Sequence, residues 1–129
     1  MGVRILLVDD EAAILSTLKV ILETKGHGVV PARSAVEACA ALSKQAFDLV
    51  ITDVKMETGT SGYDVARTAR AQPYAPLIVI LTALPIQGQQ WREAGADAAL
   101  VKPVRIEELL STISKLVAGR SPRKGREAK

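Results

Sequence analysis

The stretch ILLVDDE, residues 5–11, decides the fold of this chain. Its apolar half, extended back to Val3, is continuous rather than alternating, and such a run is typical of a strand covered on both faces of a parallel sheet. The run ends at two adjacent carboxylates, Asp9 and Asp10. Because parallel strands present their carboxyl ends at one edge of a sheet, this pair predicts a functional site at that edge.

Outward from this stretch, apolar runs alternate with helical patterns along the rest of the chain. Further strands are predicted at 29–30, 47–52, 77–81 and 98–101. Helices are predicted at 11–25, 34–44, around 65–69, 89–94 and 106–116. Ser34 with Glu37 three residues later forms a capping box for the second helix, and Gly26 ends the first. Five strand-helix repeats predict an α/β fold with a doubly wound parallel sheet.

The length and the charge distribution of the chain indicate how many domains it contains. With 129 residues and 48% hydrophobic content, it is long enough for one domain with a single core. Residues 119–129 carry a net charge of +4, which leaves −1 for residues 1–118 out of the total of +3. We therefore expect a folded domain at 1–118 and a basic flexible tail or linker at 119–129. A nearly neutral domain with 3% aromatic residues is not expected to bind nucleic acid, and no apolar run is long enough to cross a membrane.

Four strand ends carry polar residues at the predicted edge. Besides Asp9 and Asp10, the third strand ends at Asp53, the fourth at Thr82 and the fifth at Lys102. Three carboxylates at one edge repel one another, so they predict a hard divalent cation, Mg²⁺ (or Mn²⁺). Lys102 offers a charge and Thr82 a hydroxyl to phosphoryl oxygens, which leaves one carboxylate as the nucleophile of a phosphoryl transfer.

These features together resemble one known family. The chain resembles the receiver domains of two-component response regulators over roughly residues 3–118. The matching stretches are ILLVDDE at 5–11, DLVITDVKM at 48–56, SGYD at 61–64, VILTA at 79–83 and AGADAALVKPV at 94–104. The resemblance implies a flavodoxin-like (βα)5 three-layer sandwich with the strand order 2-1-3-4-5.

The resemblance also assigns roles around the metal. Asp53 matches the phosphoacceptor, which is also a metal ligand, and Asp10 matches the direct metal ligand. Asp9 matches the acidic partner that acts on the metal through water. Lys55 matches the position whose backbone carbonyl completes the metal shell.

On the phosphoryl side, Thr82 matches the switch hydroxyl and Ala83 the small residue whose backbone lies beside the phosphate. Lys102 matches the lysine that contacts the phosphoryl oxygens, and Pro103 matches the proline that follows it through a cis bond in the family.

The function implied by the resemblance is signalling rather than enzymatic turnover. The phosphoryl group would come from a sensor histidine kinase or a histidine phosphotransfer protein, and the phosphorylated domain would signal by a change of its surface. A cytoplasmic location is implied, and the family also offers a downstream output domain or target protein and a phosphorylation-dependent homodimer.

Several positions depart from the family pattern. Glu57 stands where proline is common, the span from 53 to 62 is about one residue longer, and Ala99 replaces the switch aromatic. Leu84 offers no polar group to orient an attacking water, and Lys55 places an ammonium nearby, so we expect slow self-dephosphorylation. The segment between the fourth strand and Gly95 is about two residues short, which trims the fourth helix.

Two alternatives stay open at this point. A degenerate receiver that binds partners without phosphorylation is favoured by Ala99 and the altered loop, and opposed by the complete set of site residues. A hydrolase of the haloacid dehalogenase kind needs an acid two residues after its nucleophile, whereas Asp9 and Asp10 are adjacent and no cap insertion follows.

Overall fold

Five strands alternate with five helices in the computed structural model, which describes residues 2–54, 61–83 and 90–119. The strands are β1 (Arg4–Val8), β2 (Gly28–Ala32), β3 (Leu49–Asp53), β4 (Leu77–Thr82) and β5 (Ala98–Val101). The helices are α1 (Ala12–Thr24), α2 (Ala35–Lys44), α3 (Ser61–Arg70), α4 (Gln90–Glu93) and α5 (Ile106–Gly119). All neighbouring strands are parallel, in the order β2-β1-β3-β4-β5. The predicted fold class and strand order are confirmed.

The central strands have two buried faces, and each face belongs to a separate apolar cluster. Val50 of β3 packs in a cluster that includes Leu42 of α2 and Val65 of α3. Ile51, the next residue of β3, packs in a cluster with α1 and α5 residues. Successive side chains of a strand point to opposite faces, so the unbroken apolar run of β3 fills both helical layers. This is the three-layer sandwich predicted from the sequence.

The helix ends follow the predicted local signals. The Ser34 hydroxyl accepts a hydrogen bond from the Glu37 backbone N–H at 3.1 Å and caps α2. The Glu37 carboxylate accepts from the backbone N–H of Arg33 rather than from that of Ser34, so the reciprocal half of the capping box is shifted by one residue. After α1, Gly26 adopts a φ of +95°, a conformation that favours glycine, and the chain turns there into β2.

The bounds of two strands differ from the prediction. β2 runs from Gly28 to Ala32 and contains Pro31, which an edge strand tolerates because one side of it needs no backbone donor. β3 is shifted towards the site: it begins at Leu49 instead of residue 47 and ends at Asp53, which is the strand end predicted to carry the acid.

Residues 120–129 lie outside the described residues, so the predicted division near residue 118 stays a prediction. Among the described helices, none has the length and apolar character needed to cross a membrane.

Candidate functional site

Three carboxylates meet at the carboxyl edge of the sheet. Asp9 and Asp10 follow β1, and Asp53 is the last residue of the adjacent strand β3. Asp9 is 1% exposed and Asp53 is 6% exposed, whereas Asp10 is half-buried. One carboxylate oxygen from each residue lies within 4.8 Å of the others. The folding of β1 beside β3 therefore brings together the three acids predicted from the sequence.

Lys102 projects into this acidic cluster from the end of β5. Its Nζ lies 3.0 Å from Oδ2 of Asp53 and 3.3 Å from Oδ2 of Asp9. Burial lowers the pKa of Lys102, but the hydrogen bonds and negative charges of Asp53 and Asp9 outweigh it and raise the pKa above its ordinary value. Lys102 is therefore a fixed positive charge at neutral pH, bonded to both buried carboxylates.

The backbone around the acids is held by hydrogen bonds. The N–H of Asp9 donates to the carbonyl of Ala32 at 3.1 Å, and the N–H of Glu11 donates to Oδ1 of Asp9 at 2.9 Å. The Arg33 guanidinium donates to the backbone carbonyl of Asp10 at 3.2 Å. These contacts join the loop after β1 to the loop after β2, so the acidic residues are oriented by the fold and not only by each other.

Thr82 and Ala83 lie at the adjacent strand end. Thr82 is the last residue of β4 and is half-buried, and its carbonyl accepts from the N–H of Lys102 at 2.7 Å. Ala83 follows it and is exposed. The Lys102–Pro103 peptide bond is cis, as the resemblance implied.

Four of the sequence-based predictions concern residues that the structure does not describe. Lys55, Glu57, Leu84 and the extra residue of the loop after β3 all lie outside the described residues. Ala99 is described: it is half-buried and packs against the same apolar cluster as Trp91 of α4.

Two residues, Thr52 and Gly62, contact the backbone next to Asp53 and were not predicted from the sequence to belong to the site. The Thr52 side chain is fully buried, and its hydroxyl donates to the backbone carbonyl of Asp53 at 3.0 Å. Gly62, in the first turn of α3, donates its N–H to the carbonyl of Val54 at 3.0 Å. Thr52 stands in an apolar run that reads as plain strand, so the only signal for it was a polar residue in a wholly buried strand.

An apolar groove opens beside the site, between α1 and the segment that leads from β5 into α5. Its volume is about 640 Å³. The groove is lined by Ala13, Ile14, Thr17, Leu18, Leu81, Ala83, Lys102, Pro103, Val104, Ile106 and Leu109. The groove could not be predicted from the sequence, because Ile14 and Leu18 have the spacing of the core stripe of an amphipathic helix, and helical spacing alone does not say whether a stripe is fully covered.

The donor set fits a hard divalent cation. Three carboxylates offer only oxygen ligands, and one ammonium does not neutralise three negative charges. Asp10 is the most exposed of the three acids, so it is accessible to a hydrated ion. The arrangement can hold a cation next to the Asp53 carboxylate, to which the ammonium of Lys102 is also bonded.

Comparisons with known proteins agree with this geometry. Residues 5–114 match the family model described as the response regulator receiver domain. The chain is 41% identical over 108 residues to the alginate biosynthesis transcriptional regulatory protein AlgB of Pseudomonas aeruginosa, a match that covers 82% of this chain and 24% of AlgB. The chain thus spans about a quarter of that relative.

Solved structures give the same fold. Chemotaxis response regulator CheY4 of Vibrio cholerae superposes with a TM-score of 0.82 at 31% identity, covering 90% of this chain and 99% of CheY4. The receiver domain of the sensor histidine kinase PA1611 of Pseudomonas aeruginosa, solved with a magnesium ion coordinated in its active site cleft, gives a TM-score of 0.80 at 26% identity and covers 92% of this chain and all of that domain. This chain belongs to the receiver domain family of two-component response regulators.

Proposed function

We propose that Asp53 is the residue of this receiver domain that accepts the phosphoryl group. The observation that carries the proposal is the position of its carboxylate, which is 6% exposed and lies 3.0 Å from the ammonium of Lys102, with the carboxylates of Asp9 and Asp10 beside it. Asp48, which immediately precedes β3, is exposed, and its carboxylate accepts a hydrogen bond from the backbone N–H of Arg4. The acceptor is therefore distinguished by its surroundings and not by its residue type.

Asp9 and Asp10 would hold Mg²⁺ against Asp53. Asp10 would bind the ion directly, and the more buried Asp9 would bind through a water molecule, while the backbone carbonyl of Lys55 is a further ligand proposed from the sequence alone. The bound ion would offset the charge of the acids and of the incoming phosphoryl oxygens.

The transfer itself is a displacement at phosphorus. An oxygen of the Asp53 carboxylate forms a bond to the phosphorus of a phosphohistidine while the phosphorus–nitrogen bond breaks. The electron pair of the broken bond stays on the imidazole, which takes up a proton from water. Lys102 would exchange its bond to Asp53 for one to a phosphoryl oxygen, since its raised pKa keeps it charged.

Thr82 would respond to the phosphoryl group by binding one of its oxygens. It ends β4, and the residue before it, Leu81, pairs in register with Asp53. Its hydroxyl could donate to a phosphoryl oxygen, which would move the start of the segment that leads to α4. A phosphoryl group is an efficient trigger for such a movement because it brings close to two negative charges and three strong acceptors.

The apolar groove supports a helical phosphodonor as partner. It is bounded by Ala83 and Lys102 at its site end, so a partner seated there would place its histidine next to Asp53. An amphipathic helix laid in an apolar groove is a recurrent way of binding. We propose a sensor histidine kinase or a histidine phosphotransfer protein as this partner.

What the phosphorylated domain acts on is also a proposal. AlgB is a transcriptional regulatory protein and PA1611 is a sensor histidine kinase, so similar domains occur in both kinds of protein. A cytoplasmic location suits either one. We propose that the phosphorylated surface acts on an output domain, on a target protein or on a second copy of this chain in a homodimer.

Hydrolysis of the phosphoryl group would be slow. This follows from the apolar Leu84 and the basic Lys55, which offer no group to orient an attacking water. The domain would then act as a persistent signal rather than as a phosphatase.

The test is intact mass after incubation with Mg²⁺ and acetyl phosphate. We expect the native chain to gain one phosphoryl group, Asp48→Asn to gain it at the same rate, and Asp53→Asn to gain none. A chain that binds neither Mg²⁺ nor a phosphoryl group would instead be the degenerate receiver that the replacement at Ala99 favours.

A further inference from the structure

The backbone of Asp53 is enclosed by two neighbours that carry no charge. The carbonyl oxygen of Asp53 accepts the hydroxyl of the buried Thr52 at 3.0 Å. The first turn of α3 lies against the Asp53–Val54 peptide unit, and the N–H of Gly62 donates to the carbonyl of Val54, in the next unit, at 3.0 Å. On the far side, the N–H of Val54 donates to the carbonyl of Leu81 at 2.9 Å. The acceptor is thus fixed between β4 and α3.

Gly62 leaves no space for a side chain at this contact. A Cβ built on Gly62 would lie 2.5 Å from Cα of Val54 and 2.8 Å from the carbonyl carbon of Asp53, and its closest contact would be the carbonyl oxygen of Asp53. Real Cβ atoms essentially never come within 3.0 Å of such atoms. All three atoms are backbone, so no side-chain rotation relieves the collision and either α3 or the end of β3 must move.

The requirement at Gly62 is one of space and not of conformation. Positive φ values among the described glycines occur at Gly26 and Gly95, and Gly62 is not among them. Gly28 shows the contrast, because a Cβ there would meet nothing within 4 Å. Glycine at 62 therefore permits a helix to touch the peptide unit of the acceptor.

We infer that Gly62 and Thr52 are positioning residues for the Asp53 carboxylate: the contact of α3 with the Asp53 carbonyl, together with the Thr52 hydroxyl, sets the direction in which Asp53 meets metal and phosphoryl group. The inference rests on the proposed function of Asp53. Neither residue touches the reacting atoms. Each acts through the backbone to which the Asp53 side chain is attached.

The size of the effect follows from how far the backbone must shift. Relieving the contacts made by Gly62→Ala requires a displacement of at least about 1 Å, and a misplacement of 1 Å can lower a rate about 100-fold. Loss of an orienting neighbour of a metal ligand weakens metal binding about tenfold. For Thr52→Val, which removes one hydrogen bond without a collision, we expect a change of about threefold in both quantities.

The experiment compares two pairs of variants in the full chain. Gly62→Ala is matched by Gly28→Ala, and Thr52→Val by Thr24→Val, whose hydroxyl donates to the carbonyl of Val20 at 2.8 Å far from the site. Mg²⁺ affinity is measured by calorimetry, the phosphorylation rate with acetyl phosphate by intact mass, and the folded fraction by circular dichroism. We expect Gly62→Ala and Thr52→Val to remain folded but to bind Mg²⁺ more weakly and to be phosphorylated more slowly. The two control variants should keep the Mg²⁺ affinity and phosphorylation rate of the native chain.

A purely structural role would lower the unfolding free energy of the site variants and leave the Mg²⁺ affinity of the folded chain unchanged, and that result would overturn the inference. If Gly62→Ala does not fold, Thr52→Val decides by the same comparison. A native chain that binds Mg²⁺ without being phosphorylated would refute the proposed function, and the Mg²⁺ affinities would still decide the positioning role. A native chain that neither binds Mg²⁺ nor is phosphorylated would overturn both the proposed function and the positioning role.

Discussion

Replacing Asp10 by Asn should stabilise the metal-free chain. Two unit charges 4.8 Å apart repel by about 3.5 kcal/mol at an effective dielectric constant of about 20, and one carboxylate oxygen of each of the three acids lies within 4.8 Å of the others. Asp10 faces two other carboxylates, so the gross repulsion that it experiences is about 7 kcal/mol. The ammonium of Lys102 is bonded to the other two acids, Asp9 and Asp53.

Most of this repulsion is offset in the folded chain. Asp10 is half-buried, so water and salt screen its charge, and its side chain can rotate away from the other two. We expect Asp10→Asn to raise the free energy of unfolding by about 1 kcal/mol in the absence of metal. A cation-binding site that is strained without its cation should behave in this way, because the same charges that bind the metal oppose folding.

The assay is urea unfolding followed by circular dichroism, first with a chelator and then with excess Mg²⁺. The matched control is Asp64→Asn, since Asp64 is 70% exposed, is paired with Arg67 on α3 and should change stability by less than about 0.5 kcal/mol. Mg²⁺ should stabilise the native chain and stabilise Asp10→Asn much less. A loss of 1 kcal/mol or more in metal-free Asp10→Asn would refute the reasoning, because it would mean that Asp10 supports the fold.

Three further changes have expected outcomes. Lys102→Met should lower the metal-free unfolding free energy by about 2 kcal/mol in urea, since two buried carboxylates lose their cation; an unchanged value would contradict the ion pairs. His27 accepts the Val3 N–H through Nδ1, and burial lowers its pKa below 6.5, so its neutral form supports folding. The contribution of His27 to the free energy of unfolding should therefore be present above pH 6.5 and be lost as the pH falls through 6.5 towards the pKa of the folded chain. His27→Gln should lack this pH-dependent contribution in urea titrations at a series of pH values. Ser34→Ala should lower stability by about 1 kcal/mol, because the Glu37 N–H loses its cap, and equal thermal midpoints for the two chains would exclude that role.

The fold could be predicted because its signals are local and repeated. The unbroken apolar runs of β1 and β3 are read directly as strands buried on both faces, and Gly26 marks the end of α1 by a conformation that few other residues adopt. The acids at the ends of these strands could then be brought together by the rules of parallel sheets alone. The distances to Lys102 could not, since they depend on how the side chains of distant strands pack.

What the sequence did not reveal depends on space rather than on pattern. The apolar stripe of α1 carries Ile14 and Leu18 at core spacing, and only the packed structure shows that part of it borders a groove. Gly62 lies in a stretch that matches the family, but its reason for being glycine is the collision that a Cβ would make with the peptide of Asp53. Neither the groove nor this close contact leaves a signal in the sequence pattern, because both depend on how whole elements pack.

The most direct test of Asp53 as the phosphoacceptor is to locate the phosphoryl group by chemistry specific to acyl phosphates. Borohydride reduces an aspartyl phosphate to homoserine, so the chain is phosphorylated with acetyl phosphate and Mg²⁺, reduced, digested and sequenced by mass spectrometry. If Asp53 is the phosphoacceptor, we expect homoserine at position 53, unmodified Asp9 and Asp10, and no conversion when Mg²⁺ is chelated. Homoserine at position 9 or 10, or at no position in a folded chain, would contradict this role of Asp53.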